Sequence, residues 1–259
     1  MDAPPVNIVD KSFWENDYYW ADASVPCRVD MGLAFDRSLA GALAVHAPTR
    51  PGERVLEVGC APAKWLIFYA ERFAARVTGI EYSDKGARLS RENFAAAGVA
   101  GEVHQVDFFE VEPRPHDLVV SIGFIEHFDD PAEVLARHLQ FVAPGGRLAV
   151  GVPNFAGLNG VLQRLAEPGY LALHNTAAMR PSLYRRFARA HGLELVHLGY
   201  LGGLDPAIIR LGSGPLLSPG RAIPGAVTLV QGRLRALRVS DRLNHPWLSS
   251  YLLAVYRLP

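Results

Sequence analysis

One stretch constrains this 259-residue chain more than any other: Val55-Leu56-Glu57-Val58-Gly59-Cys60-Ala61-Pro62-Ala63-Lys64-Trp65. Val55, Leu56 and Val58 form an apolar run of the kind found in parallel strands buried on both faces. Glu57 interrupts that run. A carboxylate without partners is costly inside a sheet, so Glu57 belongs at the strand's carboxyl end, facing a ligand. Gly59 lets the backbone turn beneath that ligand. Pro62 suits the first turn of a helix, where its missing N–H costs nothing. The helix then continues through Trp65-Leu66-Ile67-Phe68-Tyr69-Ala70.

The same strand-then-helix alternation repeats downstream. Strands are predicted at about 53–58, 76–81, 101–107, 117–122 and 147–152, with helices at about 62–74, 83–97 and 130–143 between them. Alternation of this kind argues for a mostly parallel sheet with helices on both faces. Pro153, Gly157, Gly160, Pro168 and Gly169 break up residues 153–180, which read as an insertion after strand five. A helix over 181–190, a strand over 193–200, a loop over 202–225, a helix over 226–240 and a last strand over 251–257 complete the pattern. Upstream, residues 31–47 read as a helix with Leu33, Leu39, Leu43 and Val45 near one face. This divides the chain into an N-terminal arm and lid helix (1–50) and a main domain (51–259) with insertions at about 153–180 and 202–240. Residues 1–30 are irregular and aromatic, with the run Phe13-Trp14-Glu15-Asn16-Asp17-Tyr18-Tyr19-Trp20. That run either packs against the sheet as a fixed arm or closes over a pocket as a lid, for which amphipathic Tyr and Trp are suited.

The formal net charge is zero, which removes the electrostatic basis for nucleic-acid or anionic-membrane partners. No apolar run reaches the roughly 18 residues of a membrane span. Met1-Asp2-Ala3-Pro4-Pro5 has no signal-peptide pattern, and Cys27 and Cys60 make neither a metal pattern nor a disulfide framework. The expectation is a cytoplasmic protein with a small-molecule partner.

Glu57-Val58-Gly59-Cys60-Ala61-Pro62-Ala63 resembles the first motif of class I S-adenosylmethionine-dependent methyltransferases, acidic-x-Gly-x-Gly-x-Gly. Ala61 and Ala63 stand at its second and third glycine positions. S-adenosylmethionine carries no phosphate to be approached closely, so alanine is compatible there provided its φ is negative. The resemblance implies a seven-stranded, mostly parallel Rossmann-like methyltransferase sheet and S-adenosyl-L-methionine as cofactor. It places Glu57, Gly59 and Ala61 around the turn. Glu81 follows that turn by roughly twenty residues, where an acid accepts hydrogen bonds from ribose hydroxyls, and Tyr82 adjoins it. In the family an acid such as Asp107 holds the adenine amine and a neighbour such as Phe108 packs on the ring. The alternative for Asp107 is a turn or cap.

Ser121-Ile122-Gly123-Phe124-Ile125-Glu126-His127-Phe128 resembles the family's fourth motif, an apolar stretch leading to Glu-His. This implies Ser121 and Gly123 beside the sulfonium and methionine portion. Some members hold a divalent metal through Glu-x-x-Glu-His. Gly123 stands at the first Glu position, so no metal is expected. A dinucleotide-dependent dehydrogenase is the rival of similar topology. It calls for Gly-x-Gly-x-x-Gly, and Lys64 occupies the third glycine position.

Methyl transfer needs alignment and exclusion of water first, and a general base only if the acceptor must lose a proton. Candidates for contact with the substrate are His127, Tyr18, Asn154 and His174, with Tyr19 and Asn175 beside them; each also has a structural reading. The function read here is methyl transfer to a small biosynthetic substrate. One alternative is cyclisation of S-adenosylmethionine to azetidine-2-carboxylate and methylthioadenosine. Another is a non-catalytic cofactor-binding subunit, against which the three acids Glu57, Glu81 and Asp107 argue.

Overall fold

The computed structural model describes residues 4–16, 25–203, 205, 208–210 and 244–259. The helix read over 226–240, most of the 202–225 loop, and Tyr18, Tyr19 and Trp20 lie outside the described residues.

The sheet has seven strands in the order β3-β2-β1-β4-β5-β7-β6. Their ranges are β1 Arg54–Val58, β2 Arg76–Glu81, β3 Glu102–Gln105, β4 His116–Ile122, β5 Val142–Pro153, β6 Glu194–Leu201 and β7 Tyr251–Arg257. β7 lies between β5 and β6 and is antiparallel to both, while the pairs from β3 to β5 are parallel. The helices described are α1 Lys11–Trp14, α2 Ala34–His46, α3 Lys64–Phe73, α4 Asp84–Ala97, α5 Pro131–Leu139, α6 Leu158–Ala166, α7 Pro168–Leu171 and α8 Pro181–Ala190.

Period-2 alternation sorts the strand side chains into two cores. From β4, Val119 packs on one face with Leu135, Phe141 and Tyr184. Leu118 and Val120 pack on the other with Leu43, Leu66 and Phe94. Such doubly covered strands explain the continuous apolar runs in the sequence. Local signals hold α4 in place: Ser83 caps its start by accepting from Gly86 N–H, and Gly98 ends it with φ 69°.

Several boundaries differ from expectation. α3 begins at Lys64, so Pro62 lies before the helix. Val45 on α2 is 70% exposed, whereas Leu39 and Leu43 are buried. β3 stops at Gln105, which leaves Asp107 in a turn where its Oδ1 accepts the Phe109 N–H at 2.8 Å. The insertion contains a nine-residue helix, α6. Its glycines did not prevent this, because Gly157 caps the helix and Gly160 sits in the first turn, where a β-carbon would collide with the Phe155 carbonyl.

Candidate active site

The carboxyl ends of β1, β2 and β4 converge on one cavity of about 320 Å³. Gly59, with φ 69°, turns the chain after β1, and its N–H donates to Ile80 O at 2.9 Å. A β-carbon at Gly59 would lie 2.7 Å from the Phe124 ring, so this turn needs glycine for space as well as conformation. Ala61 lines the cavity. Ala63 has φ 71° at the start of α3, where a negative value was expected. The alanine occupies a left-handed position that glycine adopts freely, at a cost of roughly 1–2 kcal/mol.

Glu81 ends β2 and Tyr82 follows it, both on the cavity wall. Glu81 accepts from Ser83 N–H at 2.9 Å and Ala61 N–H at 3.4 Å, which ties the loop to the acid. Burial raises its carboxyl above the ordinary range. Burial also pushes the Tyr82 hydroxyl up to about 12. Asp107 and Phe108 form the next section of wall. Phe108 is held among His138, Phe141 and Phe124 at ring separations of 4.6, 5.2 and 5.8 Å. The Arg137 guanidinium donates to the carbonyls of Phe108, Phe109 and Val111, which fixes this turn from behind.

Gly123 lines the cavity, whereas Ser121 is wholly buried behind it with an unpartnered Oγ. Glu57 is also not among the lining residues. It is 3% exposed beneath the loop, and its Oε2 has no partner. Burial pushes its carboxyl well above the usual range, and the Lys64 ammonium works in the opposite direction. Lys64 itself pairs with the buried Asp36 at 2.6 Å. An orphaned carboxylate oxygen beside a glycine turn, with acids farther along the cleft, suits a ligand with hydroxyl and amino donors. S-adenosylmethionine has both, and the acids that line the cavity, Glu81 and Asp107, fit it as acceptors, while Glu57 lies beneath the turn.

The amino-terminal arm contributes a wall, through Trp14 of the aromatic run and through Pro4, Pro5 and Asn7, which the sequence did not single out. Ile8 N–H donates to His127 O at 2.9 Å and Asp129 N–H to Val6 O at 3.1 Å, so this arm pairs edge to edge with the fourth motif. Glu15 accepts from Asp84 and Lys85 N–H at the start of α4. The apolar alternation Val6-Asn7-Ile8 was the available signal.

Of the proposed substrate-facing residues, His127 lines the cavity and His174 stands beside it, with ring centres 4.9 Å apart. Both are 8% exposed. Burial drives His127 down to about 3, helped by His174, and His174 down to about 4. The neighbouring Glu126 is 1% exposed, and burial pushes its carboxyl up to about 8. Asn154 is not brought into the cavity. It is fully buried, and its Nδ2 donates to the carbonyls of Pro246 and Ser249. Asn175 is likewise committed, its Nδ2 donating to the carbonyls of Phe128 and Asp129. Tyr18 lies outside the described residues.

An acid-lined cleft at the carboxyl ends of a sheet of this order defines an α/β enzyme that binds a nucleoside-containing ligand. Comparison with known proteins narrows that class. A family described as a methyltransferase domain matches residues 33–198. The 27-O-demethylrifamycin SV methyltransferase of Amycolatopsis mediterranei is 31% identical over 73% of this chain and 70% of that protein. The ubiquinone biosynthesis O-methyltransferase of Thiobacillus denitrificans is 30% identical over 57% of this chain and 67% of its own. Among solved structures, a SAM-dependent methyltransferase from Thiobacillus denitrificans with bound S-adenosyl-L-homocysteine aligns with a TM-score of 0.60, 14% identity, and 97% and 99% coverage of the two chains. The cyclase SpnF aligns at 0.65, with 15% identity and 99% and 98% coverage. At such identities the structural likeness concerns the fold alone. The chain belongs to the class I S-adenosylmethionine-dependent methyltransferases, and S-adenosyl-L-methionine is its cofactor. No helix among the described residues is long and apolar enough to cross a membrane.

Proposed function

We propose that this enzyme transfers the methyl group of S-adenosylmethionine to an oxygen of a small, largely apolar biosynthetic substrate. The observation that carries this reading is the cavity, whose acids Glu81 and Asp107 follow β2 and β3 and whose wall also carries Trp14, Phe109, Phe124 and Phe128. That wall excludes water and accepts an apolar body. Relatives named as a 27-O-demethylrifamycin SV methyltransferase and a ubiquinone biosynthesis O-methyltransferase support oxygen as the acceptor.

The bound cofactor supplies an activated methyl electrophile. The chain's task is alignment, which can contribute roughly 7–11 kcal/mol of barrier reduction. Glu81 and Asp107 orient the nucleoside, Glu57 underlies the turn after β1, and Gly123 leaves room beside the reacting centre. His127 and His174, held down to about 3 and about 4, are poorly matched to proton abstraction near pH 7. They act in positioning the acceptor.

The test is incubation with S-adenosylmethionine, with and without hydroxylated aromatic and aliphatic acceptors, with products identified by mass spectrometry. S-adenosylhomocysteine and an O-methylated acceptor, formed only together, are expected. Methylthioadenosine formed without an acceptor would replace this reading with cofactor cyclisation. Tight cofactor binding with no turnover across the acceptor panel would replace it with a binding subunit.

A further inference from the structure

We propose that Trp14 is a specificity-determining residue of this enzyme: its indole walls the acceptor side of the cavity and selects a planar, phenol-type hydroxyl, and Glu15 is the positioning residue that holds the indole there. Giving that side of the cavity to the acceptor rests on the O-methylation reading; the construction of the wall does not.

α1 spans only Lys11–Trp14. A helix this short has no stability of its own, so its place is set by what it is pinned to. Asp10 caps its start by accepting from Ser12 N–H at 2.8 Å. At its other end Glu15 accepts from Asp84 N–H at 2.7 Å and Lys85 N–H at 3.1 Å. These are amides at the start of α4, where no partner exists within the helix and where the dipole favours a carboxylate. Lys11 pairs with Asp84 at 3.1 Å, and Ser83 Oγ donates to Trp14 O at 3.4 Å. Ser83 N–H in turn donates to Glu81 at the end of β2. The Trp14 backbone is thus moored beside the β2–α4 turn. Its indole reaches the strip after β4 and meets His127 edge-on, with ring centres 5.1 Å apart and planes at 77°.

Two features say what fits against this wall. The first is its shape. Phe128, also on the wall, stands 5.0 Å from Phe124 and 5.5 Å from Phe109 between ring centres. Rings at such spacings favour a further flat ring over a branched or saturated body. The cavity of about 320 Å³ is at the small end of ligand sites, roughly 300–1,000 Å³, so its contents press on every wall. Trp14 is the one aromatic ring that the described part of the arm adds to it. The second feature is proton chemistry. Burial holds His127 down to about 3; Glu126, pushed up to about 8, is 1% exposed and is not among the lining residues. A phenol, whose proton leaves near pH 10 as a tyrosine's does, needs little help from a base. An alkanol holds its proton about as firmly as water does, at about 15.7. A flat body and an acidic hydroxyl together describe a phenol.

The experiment uses the full chain, with S-adenosylhomocysteine bound for calorimetry of the probes and with S-adenosylmethionine for rates. The probes are phenol, naphthol and tert-butylphenol, with cyclohexanol and decalol as saturated matches. Wild type should bind naphthol roughly 3–10-fold more tightly than decalol and reject tert-butylphenol. Trp14→Ala should erase that preference and admit tert-butylphenol, while KM for S-adenosylmethionine stays within roughly twofold. Trp14→Phe, which keeps a ring, should lie between. Glu15→Ala should copy Trp14→Ala, and Glu15→Gln, which keeps one accepting oxygen, should restore part of the preference. Trp247→Phe, at a side chain far out in solvent, should change nothing. Wild type that binds naphthol no better than decalol, or a Trp14→Ala enzyme with the preference intact, overturns the proposal. A Glu15→Ala enzyme that loses thermal stability but keeps the wild-type preference overturns the role given to Glu15. Naphthol binding that depends on Trp14 without any O-methylated product would instead overturn the O-methylation reading and leave the wall standing. O-methylation confined to the saturated alcohols would do the reverse.

Discussion

Replacing Asn154 with alanine separates a structural residue from one that meets substrate. Its Nδ2 donates to Pro246 O at 2.8 Å and Ser249 O at 2.9 Å, and its Oδ1 accepts from Ala156 N–H at 3.2 Å. The side chain is wholly buried, so water cannot replace these partners. Ser249 O keeps a second donor, Asn159 Nδ2 at 3.0 Å, whereas Pro246 O loses the bond that ties its segment to the end of β5. Three bonds at about 0.5–1.5 kcal/mol each give a loss of about 3 kcal/mol. For a domain of this size that lowers Tm by roughly 6–12 °C. Asn154→Asp should be worse, because a carboxylate would face two carbonyl oxygens with nothing to donate. The assay pairs scanning calorimetry with kcat and KM at a temperature where both forms are folded. Tm should fall while kcat changes little. An unchanged Tm with kcat reduced a hundredfold or more would refute the reasoning and put the amide in contact with substrate.

Asp107→Ala should weaken S-adenosylmethionine binding by about 1–3 kcal/mol through the loss of an acceptor for a buried donor; unchanged affinity in calorimetry would take Asp107 out of the site. Ala61→Gly should lower stability by about 0.4–1 kcal/mol. Ala63→Gly relieves roughly 1–2 kcal/mol of left-handed strain against the same unfolded-state cost and the loss of one buried methyl, about 0.8 kcal/mol. It should therefore be the more stable of the two, and the opposite order in denaturant titration would contradict the strain. His138 is fully buried, its Nδ1 donating to Val134 O, and burial drives it down to about 4 from the ordinary 6.5. Its contribution is complete above pH 6.5, because both folded and unfolded forms are then neutral. It is lost as pH falls from 6.5 towards 4, where only the unfolded form gains a proton, for a total of about 3 kcal/mol. The stability curves of wild type and His138→Gln should converge across that window; parallel curves would count against a buried neutral imidazole.

The sheet was legible because its strands are short apolar runs separated by turn residues, and β2 and β7 match expectation residue for residue. Ser83 and Gly98 marked α4 for the same local reasons. Glu81 was legible as well, since it ends a buried strand and carries charge that apolar runs avoid, whereas Glu57, read as facing a ligand, is buried beneath the turn. What depends on distant contacts was not. Asn154 looks like a rim residue after β5 until the carbonyls of Pro246 and Ser249 are placed against it. His174 lies 47 positions after His127, and no local pattern joins the two. Ala63 shows that residue type is a weak guide to φ: the loop's shape is kept although the glycine is gone.

The edge-to-edge pairing of Val6–Ile8 with residues 127–129 makes one wall of the cavity from two strips of chain. Its contacts join residues more than a hundred positions apart, so they close after the sheet has formed and open before it melts. Whatever fills the cavity also stabilises the zipped state, and occupancy and closure become one equilibrium.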